Sequence, residues 1–175
     1  MKNKFILTSV LSAFALTGVA NAQVGSGTLG VTATVQGSIN LTFVTDASGL
    51  AVTGTGTSAA SLPFGTVGMY GGTVPTNVTK TLGATSFSLS TPFDVRVDLA
   101  NSASTTYTLA ATLAAADSIN TWTLGPTDIS SGASFALTST GAYATALPYT
   151  LKLTVPASET AGVITNTINF TATGN

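Results

Sequence analysis

From Phe93 to Leu99 the chain alternates with period two, with Phe93, Val95, Val97 and Leu99 on one side and Asp94, Arg96 and Asp98 on the other. Side chains of an extended strand point to opposite faces in turn, so this run predicts a strand with one face in a core and one in water. The period recurs at Leu29, Val31, Ala33 and Val35, at Ile39, Leu41 and Phe43, at Tyr107, Leu109, Ala111 and Leu113, and at Tyr149, Leu151, Leu153 and Val155. Further strands are expected at Leu62 to Val67, from about Thr79 to Leu89, and from Ile164 to Thr173. Eight or more short strands, divided by Gly, Pro and Asp signals, predict an all-β chain folded as an immunoglobulin-like antiparallel β-sandwich.

Between the strands the turn chemistry is dense. Asp46 to Ser61 is rich in Gly, Ser, Thr and Ala and is expected to be a loop, and Gly68-Met69-Tyr70-Gly71-Gly72 with Pro75 marks turns. Ala114 to Leu147 is less regular, with short strands expected only around Trp122 and Phe135. Pro156 to Gly162 is a turn. In the last strand Asn166 interrupts the apolar face of Ile164, Ile168, Phe170 and Ala172. Either the strand proper starts near Thr167, or the Asn166 amide serves a bulge or an edge; a place at a water-washed rim is the simpler expectation for an Asn.

The first residues have a different character. Lys2 and Lys4, an apolar run from Phe5 to Val19 and the small-x-small triplet Ala20-Asn21-Ala22 form the three parts of a secretory signal. Cleavage after Ala22 divides the chain into a signal peptide (1–22), an N-terminal strand (23–36) and a β-sandwich domain (37–175). No other apolar run approaches membrane-spanning length, so no integral helical segment is expected after cleavage. Export to the cell surface or medium follows.

Composition excludes whole classes of function. Beyond the signal only Lys80, Arg96 and Lys152 are positive, against six acids, which leaves no basic surface for nucleic acid or for an anionic membrane. With no His and no Cys, the usual general base, metal ligand and thiol nucleophile are missing, and no disulfide can support the core. Asp94 and Asp98 share a strand face and could in principle act as a carboxylate pair on a glycoside, but Arg96 between them and the apolar opposite face mark an ordinary solvated surface. No Asp-x-Asp-x-Asp-Gly cluster suggests calcium. The expectation is a protein that is not an enzyme, with no cofactor and no metal.

Tyr70, Trp122 and Tyr143 fall in or near predicted loops, where aromatics can form a sugar-binding platform. A single Trp in so apolar a chain more often packs than projects. The triplets Asn40-Leu41-Thr42 and Asn77-Val78-Thr79 match a glycosylation pattern common by chance in Thr-rich chains.

The order Gly27-Thr28-Leu29-Gly30-Val31-Thr32-Ala33-Thr34-Val35, then Leu62-Pro63-Phe64-Gly65-Thr66-Val67, then Tyr149 to Val155, Pro156-Ala157, Gly162 and the alternating terminal strand resembles secreted spore-coat-U-type domains, a family that includes pilin subunits of the archaic chaperone–usher pathway. Trp122 is similar in place to a Trp late in those domains. The chain departs from many such subunits in having no cysteine. The resemblance implies an immunoglobulin-like subunit that lacks one of its own strands. It also implies export through the periplasm, where a chaperone would fill the gap first; at an outer-membrane usher the N-terminal strand of an identical or related subunit would replace it. Under that resemblance Leu29, Val31, Ala33 and Val35 are the donor side chains, and Ile164, Ile168 and Phe170 line the acceptor groove. Two other expectations compete: a self-complemented secreted sandwich that binds carbohydrate or protein through its loops, and a small outer-membrane barrel, disfavoured by few aromatics and by the ending Thr-Ala-Thr-Gly-Asn.

Overall fold

A computed structural model describes residues 28–175; the signal peptide (1–22) and the beginning of the N-terminal strand (23–27) lie outside the described residues. The chain divides into a unit ending at Thr34 and a second unit, Val35–Asn175. In the first, residues 28–34 form no strand, and Leu29 and Val31 are 89% and 83% exposed. The period-two pattern there does not make a strand by itself, because a strand's backbone groups must be paired across a ladder.

The second unit is all-β. Its strands are β1 (Ser38–Val44), β2 (Thr79–Leu82), β3 (Ser86–Ala100), β4 (Tyr107–Leu113), β5 (Thr121–Leu124), β6 (Thr127–Asp128), β7 (Phe135–Gly141), β8 (Ala146–Pro156) and β9 (Ile168–Gly174). They form two antiparallel sheets: β1-β3-β8-β5-β6, with β2 also on β3, and β7-β4-β9. The sheets have open edges, so the strands do not close into a single barrel. Their inner faces meet as in a β-sandwich: Val95, Val97, Leu89 and Phe93 of β3 and Tyr107, Leu109, Ala111 and Leu113 of β4 are buried in one cluster. The alternation read from sequence is the alternation of burial along these two strands.

Three expectations are corrected. The strand from Thr79 to Leu89 is two: Gly83 donates its N–H to the Ser86 carbonyl, closing a hairpin between β2 and β3. β3 then runs fifteen residues, because the strand ending at Leu89 and that starting at Phe93 are continuous through Pro92. Proline is tolerated there because β2 pairs with the first part of β3 and β1 with the second, leaving Thr91 to Phe93 between them. Leu62 to Val67 is not a strand; only Ser61 and Val67 make isolated bridges, to Thr53 and Gly72. Lastly, β9 begins at Ile168 and not at Ile164, close to the alternative start near Thr167, and the Asn166 amide acts as a backbone surrogate, accepting from Ala115 N–H (3.3 Å) and donating to Ala115 C=O (2.8 Å).

Candidate functional site

β9 is the edge of the smaller sheet. Its hydrogen-bond parity follows from its flanks: Thr167 C=O accepts from Ala114 and Asn175 N–H donates to Thr106 C=O, so the odd-numbered residues face β4. Ile168, Phe170 and Ala172 therefore turn their N–H and C=O the other way, toward an edge that carries no strand among the described residues. Unpaired backbone groups on a regular strand are a template for another strand. Nothing in Ile-Asn-Phe-Thr-Ala-Thr-Gly blunts that template, since the strand holds no proline and no charge.

A groove of about 980 Å³ runs along this edge. Ile164, Ile168 and Phe170, which the resemblance placed along such a groove, are all among its lining residues. Leu62, Phe64 and Val67, from the segment expected to be a strand, line it as well. Phe87, Leu89, Leu151, Leu153 and Val155 make the floor, which is the inner face of β3 and β8. Phe43 and Phe93 stand edge to face with Phe170 at 5.2 and 6.0 Å between ring centroids. A three-stranded sheet over a wider one leaves this part of the floor to loops and open space.

Three other edges differ. β7, across the same sheet, shifts register against β4 between Tyr107 and Leu109 and again before Ala110, and such bulges spoil an edge for further pairing. On β1, Phe43 is already paired, donating N–H to Thr57 C=O and accepting from Gly56. β6 has only two residues. Val35, the member of the N-terminal alternating set within the second unit, is 70% exposed.

The predicted loop aromatics separate. Tyr70 stays on a loop and is 88% exposed. Tyr143 is half-buried, its hydroxyl held between Ser104 Oγ (2.8 Å) and Thr106 C=O (3.1 Å). Trp122 lies in β5, one of the short strands expected in this region, is 6% exposed as a packed Trp would be, and lines the groove from within the core. Its indole N–H donates to Asp117 Oδ2 at 2.8 Å. The same carboxylate accepts from the backbone N–H of Ile119 and Asn120 and from Asn120 Nδ2. Burial pushes the Asp117 carboxyl up, but these donors outweigh it and hold the pKa at about 2. The clasp was not foreseen from the sequence; its signal is Asp117 and Asn120 just before the alternating Thr121 to Leu124, which holds Trp122.

On the outer face of β3, Arg96 is committed to Asp98, with Nη2 2.9 Å from Oδ1. Asp94 instead lies toward Asp46; partial burial first, and the Asp46 charge second, raise its pKa. Asp46 itself is held low by the hydroxyl and N–H of Ser48. Among the described residues no cluster of three or more His, Cys, Asp or Glu could hold a metal. No family model matches the chain, and comparison with curated proteins and with solved structures finds no match.

Proposed function

We propose that this protein is an exported structural subunit that assembles into a surface fibre, the segment around Leu29, Val31, Ala33 and Val35 of one copy adding to the free edge of β9 in another. The observation that carries this proposal is the coincidence of an unblunted edge at Ile168, Phe170 and Ala172, unpaired among the described residues, with an apolar groove beside it. Strand addition uses both features, the edge for a backbone ladder and the groove for alternate side chains. Leu29, Val31 and Val35 lie exposed in the chain and have the period that such an edge requires. Buried fully, three aliphatic side chains contribute about 1.5–3 kcal/mol each before ordering costs. The added strand completes the smaller sheet, which supports an immunoglobulin-like sandwich lacking one strand. Because the strand and the edge are different surfaces of one chain, the association is heterologous and propagates as an open filament.

The resemblance to spore-coat-U-type pilin subunits points the same way, and with it come the cleaved signal, a periplasmic chaperone as temporary occupant and an outer-membrane usher. The test is direct. A fluorescent peptide of residues 24–36 should bind chain lacking those residues saturably, and that truncated chain should form no fibres. A full-length chain that stays monomeric at high concentration, with a truncated form that ignores the peptide, would overturn the proposal in favour of a closed secreted sandwich.

A further inference from the structure

Along β3 and β9 the sandwich has two ends. Ser38 pairs with Ala100, and Gly174 with Tyr107, at one end; Leu82 pairs with Phe87, Ser86 with Pro156, and Ile168 with Leu113 at the other. Exposed large apolar residues are not shared equally between them. Val163 (93% exposed), Ile119 (60%) and Leu82 (56%) all belong to the Ile168 end, Val163 on the lip of the groove. The Gly174 end carries instead a shallow dish of about 550 Å³ with Ile39 and Leu99 among hydroxyl and backbone groups of Ser38, Ser102 and Ser104.

We infer that copies of this chain join end to end, the Gly174 end of one seated on the apolar rim of Leu82, Ile119 and Val163 of the next. This rests on the strand addition proposed above. Both existing neighbours in the smaller sheet are antiparallel, and the antiparallel ladder is the more stable, so the added segment runs against β9. Its residue 35 then leaves the groove at the Ile168 end. Only Gln36 and Gly37 separate Val35 from Ser38, where β1 begins, and three residue steps span about 10 Å at most. The incoming domain has no slack to hang free. Its Ser38 corner must lie against the lip where the strand emerges, and that lip is where the apolar side chains are exposed. A parallel strand would emerge at the opposite end and bring two Gly174 ends together, leaving the rim uncovered.

With no native cysteine, the junction can be trapped by single cysteines in the full chain. Ser38→Cys and Val163→Cys proteins, mixed and allowed to assemble under mild oxidation, should give disulfide-linked pairs containing one of each. Links within the Ser38→Cys protein alone, or no mixed links, would overturn the inference. Binding of the 24–36 peptide to truncated chain, followed in parallel, reports separately on strand addition: peptide binding without mixed links rejects only the end-to-end junction, whereas no binding rejects both. As a second measurement, Ile119→Asp, whose residue is not among those lining the groove, should slow fibre extension at least tenfold with peptide affinity unchanged; unaltered extension would count against the rim.

Discussion

Phe43 of β1 and Phe170 of β9 meet edge to face with ring centroids 5.2 Å apart, joining strands that belong to different sheets. Each strand lies at an edge of its sheet, so this contact holds the two sheets together at the side where the smaller one ends. Phe170 also reaches Phe93, 6.0 Å away in the middle of β3. Phe170→Ala should therefore destabilise the domain by about 2–3 kcal/mol, below the full cost of a buried Phe because the ring is only partly covered. Urea denaturation gives the number, and a change below about 0.5 kcal/mol would show that the edges are held elsewhere.

The pairing segment should show the same alternation in energy that it shows in sequence. In the 24–36 peptide, Val31→Asp should weaken binding by at least about tenfold, since losing one buried aliphatic group costs about 1.5–3 kcal/mol. Thr32→Asp, one residue on, faces away and should bind nearly as the parent does. Equal losses at the two positions in a titration would rule out a strand in the groove.

Acid should weaken the Asp117 clasp. The folded carboxyl titrates at about 2 against an ordinary 3.8, so its contribution is complete above about pH 4 and is lost as pH falls through the folded value. Asp46 and Asp128, lowered by Ser48 and Ser130, act in the same direction. Asp94 has the opposite sign, because its raised pKa favours the folded state when protonated and that contribution fades as pH rises through the folded value. Asp117→Ala leaves the Trp122 indole and three other donor N–H groups without their acceptor, and should cost about 1–3 kcal/mol at pH 7. It should also flatten the loss of stability between pH 4 and 2, measured by denaturation at each pH.

Tyr107 offers a pair of opposed substitutions. Its ring lies against Gly141 so closely that a Cβ there would fall 2.4 Å from Cζ, and Gly141→Ala should cost about 1–3 kcal/mol. The Tyr107 hydroxyl is buried without a partner among the described residues, so Tyr107→Phe should be neutral or slightly stabilising. Thermal melts of the two variants should move apart, and a large loss from Tyr107→Phe would reveal a partner for the hydroxyl.

Much of this architecture is legible in the sequence because burial on a strand has the same period as the chain's own pleat. Phe93, Val95 and Val97, like Leu109, Ala111 and Leu113, could be assigned to the core from alternation alone. Leu50, Val52, Leu124 and Ile129 are equally buried but sit in segments too short or too rich in Gly and Ser for a period to emerge. Leu62 to Val67 failed for the reverse reason: its apolar residues pack against the core from an irregular backbone, which a hydrophobic pattern cannot distinguish from a strand. Trp122 joined the core because Asp117, five residues earlier, supplies an acceptor for its indole, a pairing that alternation does not encode.

The sequence by itself determined that the chain is β-structured, that one apolar set faces a core on each main strand, and that Ile168 and Phe170 share a face of the last one. Local alternation suffices for these because each depends only on residues two apart. Which strand stands at an edge depends on partners brought from far along the chain, here β4 on one side of β9 and, among the described residues, none on the other. The free backbone of Ile168, Phe170 and Ala172, and the groove beside it, are therefore properties of the tertiary structure alone.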